Sequence, residues 1–125
     1  MINEAFGWAW ITLGFLTGFL LGTRFHDEKF LGGYGSWARR LLRLGHVACI
    51  ALGALNILFA LSAARVGLSP GWLRGVSWAF VVGGITMPVC CVLAAWRREL
   101  CPLFIVPVAA LVFAAGGTAL GMVLR

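Results

Sequence analysis

The sequence predicts an all-α integral membrane protein, a four-transmembrane-helix bundle with a short basic interfacial helix in its first connection. Three observations point there. Apolar residues make up 62% of the 125 and charged residues only 11%, far from the roughly 45–50% and 25% of globular chains. Four apolar stretches of 19 to 24 residues follow one another, interrupted by charge, proline and glycine. Seven of the ten Lys and Arg residues fall in the first and third connections.

The spans are expected at 5–23, 44–64, 76–96 and 101–124, all within a single membrane domain, 1–125. About 20 residues rising 1.5 Å each cross a hydrocarbon core of about 30 Å, and each stretch meets that requirement. A transmembrane barrel needs short alternating segments instead. The first stretch could be mistaken for a signal peptide, but it carries Glu4, lacks a basic leader and has no small-residue cleavage site before Arg24, so it reads as a retained helix.

Between the first two spans lies the loop 24–43. The stretch 24–46 holds seven of the fourteen charged residues, the only lysine, the only tyrosine and both histidines. Its LGGYG reads as a turn. SWARRLLRLGH then reads as a short helix on the membrane surface, with Trp37, Leu41 and Leu44 on one side and Arg39, Arg40 and Arg43 largely on others. Trp37 and these arginines form the expected contact with anionic lipid, at about 1 kcal/mol per basic residue, or with another subunit.

Basic residues also set orientation. Arg24, Lys29, Arg39, Arg40, Arg43, Arg97 and Arg98 lie on one side, and Arg65, Arg74 and Arg125 on the other. The positive-inside bias therefore predicts a plasma (inner) membrane protein with both termini outside the cytoplasm. All six tryptophans, Trp8, Trp10, Trp37, Trp72, Trp78 and Trp96, fall near predicted span ends and are expected in the headgroup belts.

Inside the spans, Gly14, Gly18 and Gly22 make a GxxxGxxxG ridge, and Gly117 with Gly121 a GxxxG. Small residues let helix backbones approach closely in lipid, either within this bundle or against another chain. The polar residues at membrane depth are the candidates for function. His46, Cys49, Gly53 and Asn56 share a face of the second span, while the third carries Met87, Pro88 and Cys90. Proline at 88 frees the carbonyl near Gly84, the expected partner of Asn56. His46, Cys49, Met87 and Cys90 together also offer soft ligands suited to copper. Haem needs axial ligands at matching depth, and a haem or quinone shared with a partner is the related alternative.

Several classes are set aside. The carboxylates are Glu4, Asp27, Glu28 and Glu99, none at mid-membrane, so no catalytic set is visible and the chain is expected not to be an enzyme on its own. A net charge of +6 flanks membrane spans without forming a basic domain, so no nucleic-acid partner is expected. The leading expectation is an accessory, structural or assembly subunit of a larger membrane complex, energy-converting or redox in setting. Its alternatives are the intramembrane ligand site and a homodimeric carrier of a small neutral molecule.

Overall fold

A computed structural model describes residues 2–124, so Arg125 of the charge pattern lies outside the described residues. Those residues are helical with no strand: α1 (Ile2–Arg24), α2 (Trp37–Ser62), α3 (Pro70–Trp96) and α4 (Ile105–Val123). All four helical segments are long and apolar enough to cross a membrane. Short 3-10 turns at Phe30–Gly32, Ala63–Arg65 and Arg98–Phe104 join them.

The helices start for local reasons. Ser36 caps α2 by accepting from the Arg39 N–H at 3.2 Å, which satisfies one of the donors a helix start leaves free. Pro70 opens α3 at its first turn, where its missing N–H costs nothing. In the first connection Gly32 and Gly33 take positive φ, 84° and 96°, a conformation that glycine adopts without a Cβ penalty. Leu31 beside them also turns left-handed, at φ 54°.

The expected surface helix is a correction. The segment from Trp37 onward does not lie apart: it forms the first turns of α2, which runs unbroken for 26 residues. Between its cap at Ser36 and Ser62 there is no proline, and the arginines and leucines of this stretch are good helix formers. The fourth apolar segment runs from Arg98 to Val123, but its first part, Arg98–Phe104, is a 3-10 segment containing Pro102, and α4 proper begins only at Ile105.

The helices alternate in direction, and each packs mainly on its neighbour in sequence. They form a row, with α2 and α3 in the middle and α1 and α4 at the edges. One end of the row carries both termini and the α2–α3 link. The other carries the α1–α2 and α3–α4 links and is called here the basic end. The apolar core lies where α2, α3 and α4 meet, built from Phe59, Val76, Phe80 and Ala114, with the Phe59 and Phe80 rings 5.0 Å apart.

Small residues set the close approaches. A Cβ on Gly7 would come 2.5 Å from the Gly53 carbonyl oxygen, and one on Gly53 would come 2.8 Å from that of Gly7. Gly14 meets Ile50 and Cys49, and Gly18 meets His46, so both glycines pack within the chain. Gly22 has nothing within 4 Å. Gly117 meets Val76, while Gly121 meets Val66 and Leu68, and its carbonyl accepts from the Gly67 N–H at 2.8 Å. Two alanine substitutions separate these roles. Gly7→Ala is expected to destabilise the helix row by about 1–3 kcal/mol through overpacking. Gly22→Ala, in open space on the same helix, is expected to be neutral or stabilising by up to about 1 kcal/mol. Thermal unfolding in detergent, followed by circular dichroism, reads both.

Candidate functional site: a groove between the first and third helices

Buried amides tie α1 to the centre of the row. Asn3 and Asn56 are both fully buried. The Asn3 side-chain amide donates to Asn56 Oδ1 and to the Ser77 carbonyl, each at 2.9 Å. Ser77 Oγ donates to Asn3 Oδ1. Asn56 Nδ2 in turn donates to the carbonyls of Leu52 at 2.9 Å and Phe80 at 3.2 Å. One knot thus joins three helices near the end that carries the termini.

Two expectations change here. Asn56 does not use the carbonyl that Pro88 frees. Gly84 O accepts instead from the indole N–H of Trp10, at 2.8 Å, while the ring of Phe6 stacks on Trp10 at 4.9 Å and lies against Gly84. The Trp10 indole is therefore committed to α3. Gly84 lies twelve residues from the end of α3, about 18 Å in, and a carbonyl without its helical donor at that depth needs one from elsewhere.

Beyond Trp10 and Gly84, towards the basic end, α1 and α3 are separated by a groove of about 480 Å³ whose floor is α2. Trp10 closes one end, Leu20 and Leu21 stand at the other, and Pro88, Val89, Val92 and Leu93 form the α3 wall. From Trp10 to Leu21 the wall runs about 17 Å at helical rise. Its volume falls in the roughly 300–1,000 Å³ range of small-molecule pockets.

His46 and Cys49 line the floor. The Nδ1 of His46 is buried with no hydrogen-bond partner, and the edge of its ring between the two nitrogens rests on Gly18. The other lining groups with N–H or O–H are already engaged. Trp10 is bound to Gly84, and the Thr17 hydroxyl donates to the carbonyls of Leu13 at 2.9 Å and Gly14 at 3.0 Å. An imidazole left over in an apolar groove is what an incoming polar group would find.

The expected ligand set does not assemble. Cys90 is turned from the groove, its thiol 3.6 Å from the Leu103 carbonyl in the 3-10 link before α4. Met87 lies on the turn between Cys90 and Gly83, and Gly83 meets Leu111 of α4. His46 and Cys49 face α1 and the groove. No group of three or more His, Cys, Asp or Glu side chains fit to hold a metal ion occurs among the described residues. All four cysteines are free thiols.

The basic segment is also rearranged. Arg40 is exposed, but Arg39 is only 3% exposed. Its Nη2 donates to the Phe25 carbonyl at 2.9 Å, and its guanidinium stacks 4.3 Å over the Phe25 ring. Arg39 is therefore a clamp between the ends of α1 and α2 and not part of an outward docking face. Arg43 stacks on Tyr34 at 4.5 Å. Trp37 donates its indole N–H to the Ala94 carbonyl at 2.8 Å and carries Arg98 over its ring at 4.9 Å.

Asn3, Ser77 and Trp10 are the site-building residues that sequence reasoning missed. The signal was the unmet valence of Asn56: an amide with two donors and an acceptor needs polar partners from more than one neighbouring helix. No protein family, curated protein or solved structure matches this chain.

Trp10→Phe keeps the ring and removes the donor, so it is expected to cost about 1–3 kcal/mol by leaving a buried carbonyl unpaired. Asn3→Leu is expected to cost at least as much, because it strips partners from both Asn56 and Ser77. The double variant Asn3→Leu with Asn56→Leu should lose less than the sum of the singles, which a double-mutant cycle of unfolding in detergent measures.

Proposed function

We propose that this chain is a multi-pass subunit of a larger membrane complex, embedded through its four apolar helices and acting by interaction and not by catalysis of its own. The observation that carries the reading is the open row. α1 and α4 lie at opposite edges, each packed chiefly on one neighbour, and long side chains such as Phe15, Phe19, Ile105 and Val112 are exposed along them. An edge helix of this kind has room for another transmembrane helix, and association in lipid rewards close packing more than apolarity.

The charge pattern supports a plasma (inner) membrane setting with the basic end in the cytoplasm and both termini outside. Arg40, Arg43 and the stacked Trp37–Arg98 pair would then meet anionic headgroups. An energy-converting or redox complex remains the proposed setting.

A second reading, an intramembrane ligand site, is favoured by the groove and by the His46 imidazole on its floor. It draws on His46 and Cys49. Copper or haem held by the full set of four would require Met87 and Cys90 to turn from the α4 side.

Affinity capture of the tagged chain from native membranes in mild detergent tests the first reading. Stoichiometric recovery of the same larger subunits is expected, together with cross-linking to one of them from a cysteine placed at Val112. Recovery as a lone monomer or dimer overturns it.

A further inference from the structure

We propose that the α1–α3 groove binds an isoprenoid-quinone-type molecule, a neutral carbonyl-bearing ring on an apolar chain, with the ring at His46 and the chain running towards Trp10. This rests on the ligand-site reading and names its occupant.

Three features choose the class. The groove is walled almost entirely by apolar side chains, so a charged headgroup would be desolvated there without compensation. Its hydrogen-bonding capacity is concentrated in one imidazole. Nδ1 is closed off inside the protein, which leaves Nε2 as the ring nitrogen that can meet a ligand and, when it carries the proton, donate to a carbonyl. A quinone is an acceptor at its head and apolar elsewhere.

A phospholipid is the nearest alternative, because Arg43 lies only three residues, about 5 Å, before His46 on α2. A quinone-type ring differs in being neutral, so it enters the groove whole, and the two occupants are separated by titrating the quinone in a bilayer that supplies phospholipid in excess. From the level of Gly18, which abuts His46, to Trp10 the groove continues for about 12 Å, which takes the start of an apolar chain.

The arrangement is also directional. Leu20, Leu21 and Leu42 stand at the basic side of His46 and Trp10 at the other. Trp10 is held in place by its bond to Gly84. The ring therefore sits nearer the basic end and the chain nearer mid-membrane.

The test uses the full chain in phosphatidylcholine–phosphatidylglycerol nanodiscs, titrated with decylubiquinone. Nitrogen NMR of labelled histidine reads the site, with His26→Gln leaving His46 as the one histidine. The expected result is a saturable shift of the His46 ring nitrogens. His46→Ala, read by competition with a spin-labelled quinone, should bind about three- to tenfold more weakly, the loss of one neutral hydrogen bond. Val92→Phe, which narrows the groove from its α3 wall and leaves the imidazole in the chain, should weaken binding tenfold or more.

Decylbenzene, the same chain on a ring without carbonyls, separates the two levels of inference. If it competes as well as decylubiquinone and His46→Ala changes nothing, the quinone assignment fails while a ligand groove stands. If neither compound binds saturably to a chain whose helical circular dichroism and melting are intact, both readings are overturned.

Discussion

The knot of Asn3, Asn56 and Ser77 decides where α1 lies, and the rest of the site depends on it. In apolar surroundings a leucine face gains little by choosing protein over lipid, so apolarity alone does not set a helix's register. A buried amide is different, because every unpaired donor or acceptor carries a desolvation cost of a few kcal/mol. Asn3 spends its amide on α2 and α3 at once, which holds one end of α1 against both helices. Towards the basic end α1 rests on α2 through Gly14 and Gly18, with no comparable tie to α3. The groove is the space left by a helix fastened to α3 at one end only.

Pro88 contributes twice to that space. It removes the N–H that would have held the Gly84 carbonyl in the α3 ladder, and its ring forms part of the groove wall. The freed carbonyl draws the Trp10 indole inward, and the indole becomes the closed end. Gly45 lets α2 and α3 approach beneath, since a Cβ there would come 3.1 Å from that of Cys91. The local backbone defect and the shape of the pocket therefore share one cause.

Four helices long and apolar enough to cross a membrane were legible because length and apolarity are properties of the chain read in one dimension. Their ends were less so: charge at Arg39, Arg40 and Arg43 looked like a boundary, yet a capped and uninterrupted run of helix formers carried α2 back to Trp37. Facing was the part the sequence could not supply. His46 and Cys90 share a depth range but look to different neighbours, and only the packing of α1 on α2 and of α4 on α3 decides that. Trp10 illustrates the same limit, since an indole near a predicted span end fits a headgroup belt unless an unpaired carbonyl lies within reach. Asn3 fell outside the expected first span because that span was cut at Ala5, and with it went the partner Asn56 required.

A second groove shows why openness alone does not make a site. On the other side of the row, α2 and α4 leave a space of about 370 Å³ over α3, lined by Leu55, Phe59, Leu111 and Met122 among others. Its hydroxyls are spent on their own helices, Ser62 on the Leu58 carbonyl and Thr118 on that of Ala114. In a bilayer, hydrocarbon chains would complete such a surface with nothing left over. The groove at His46 has the same apolar walls, but acyl chains filling it would leave an imidazole without a partner. The difference between the two grooves is therefore the one imidazole that lines the first and has no counterpart in the second.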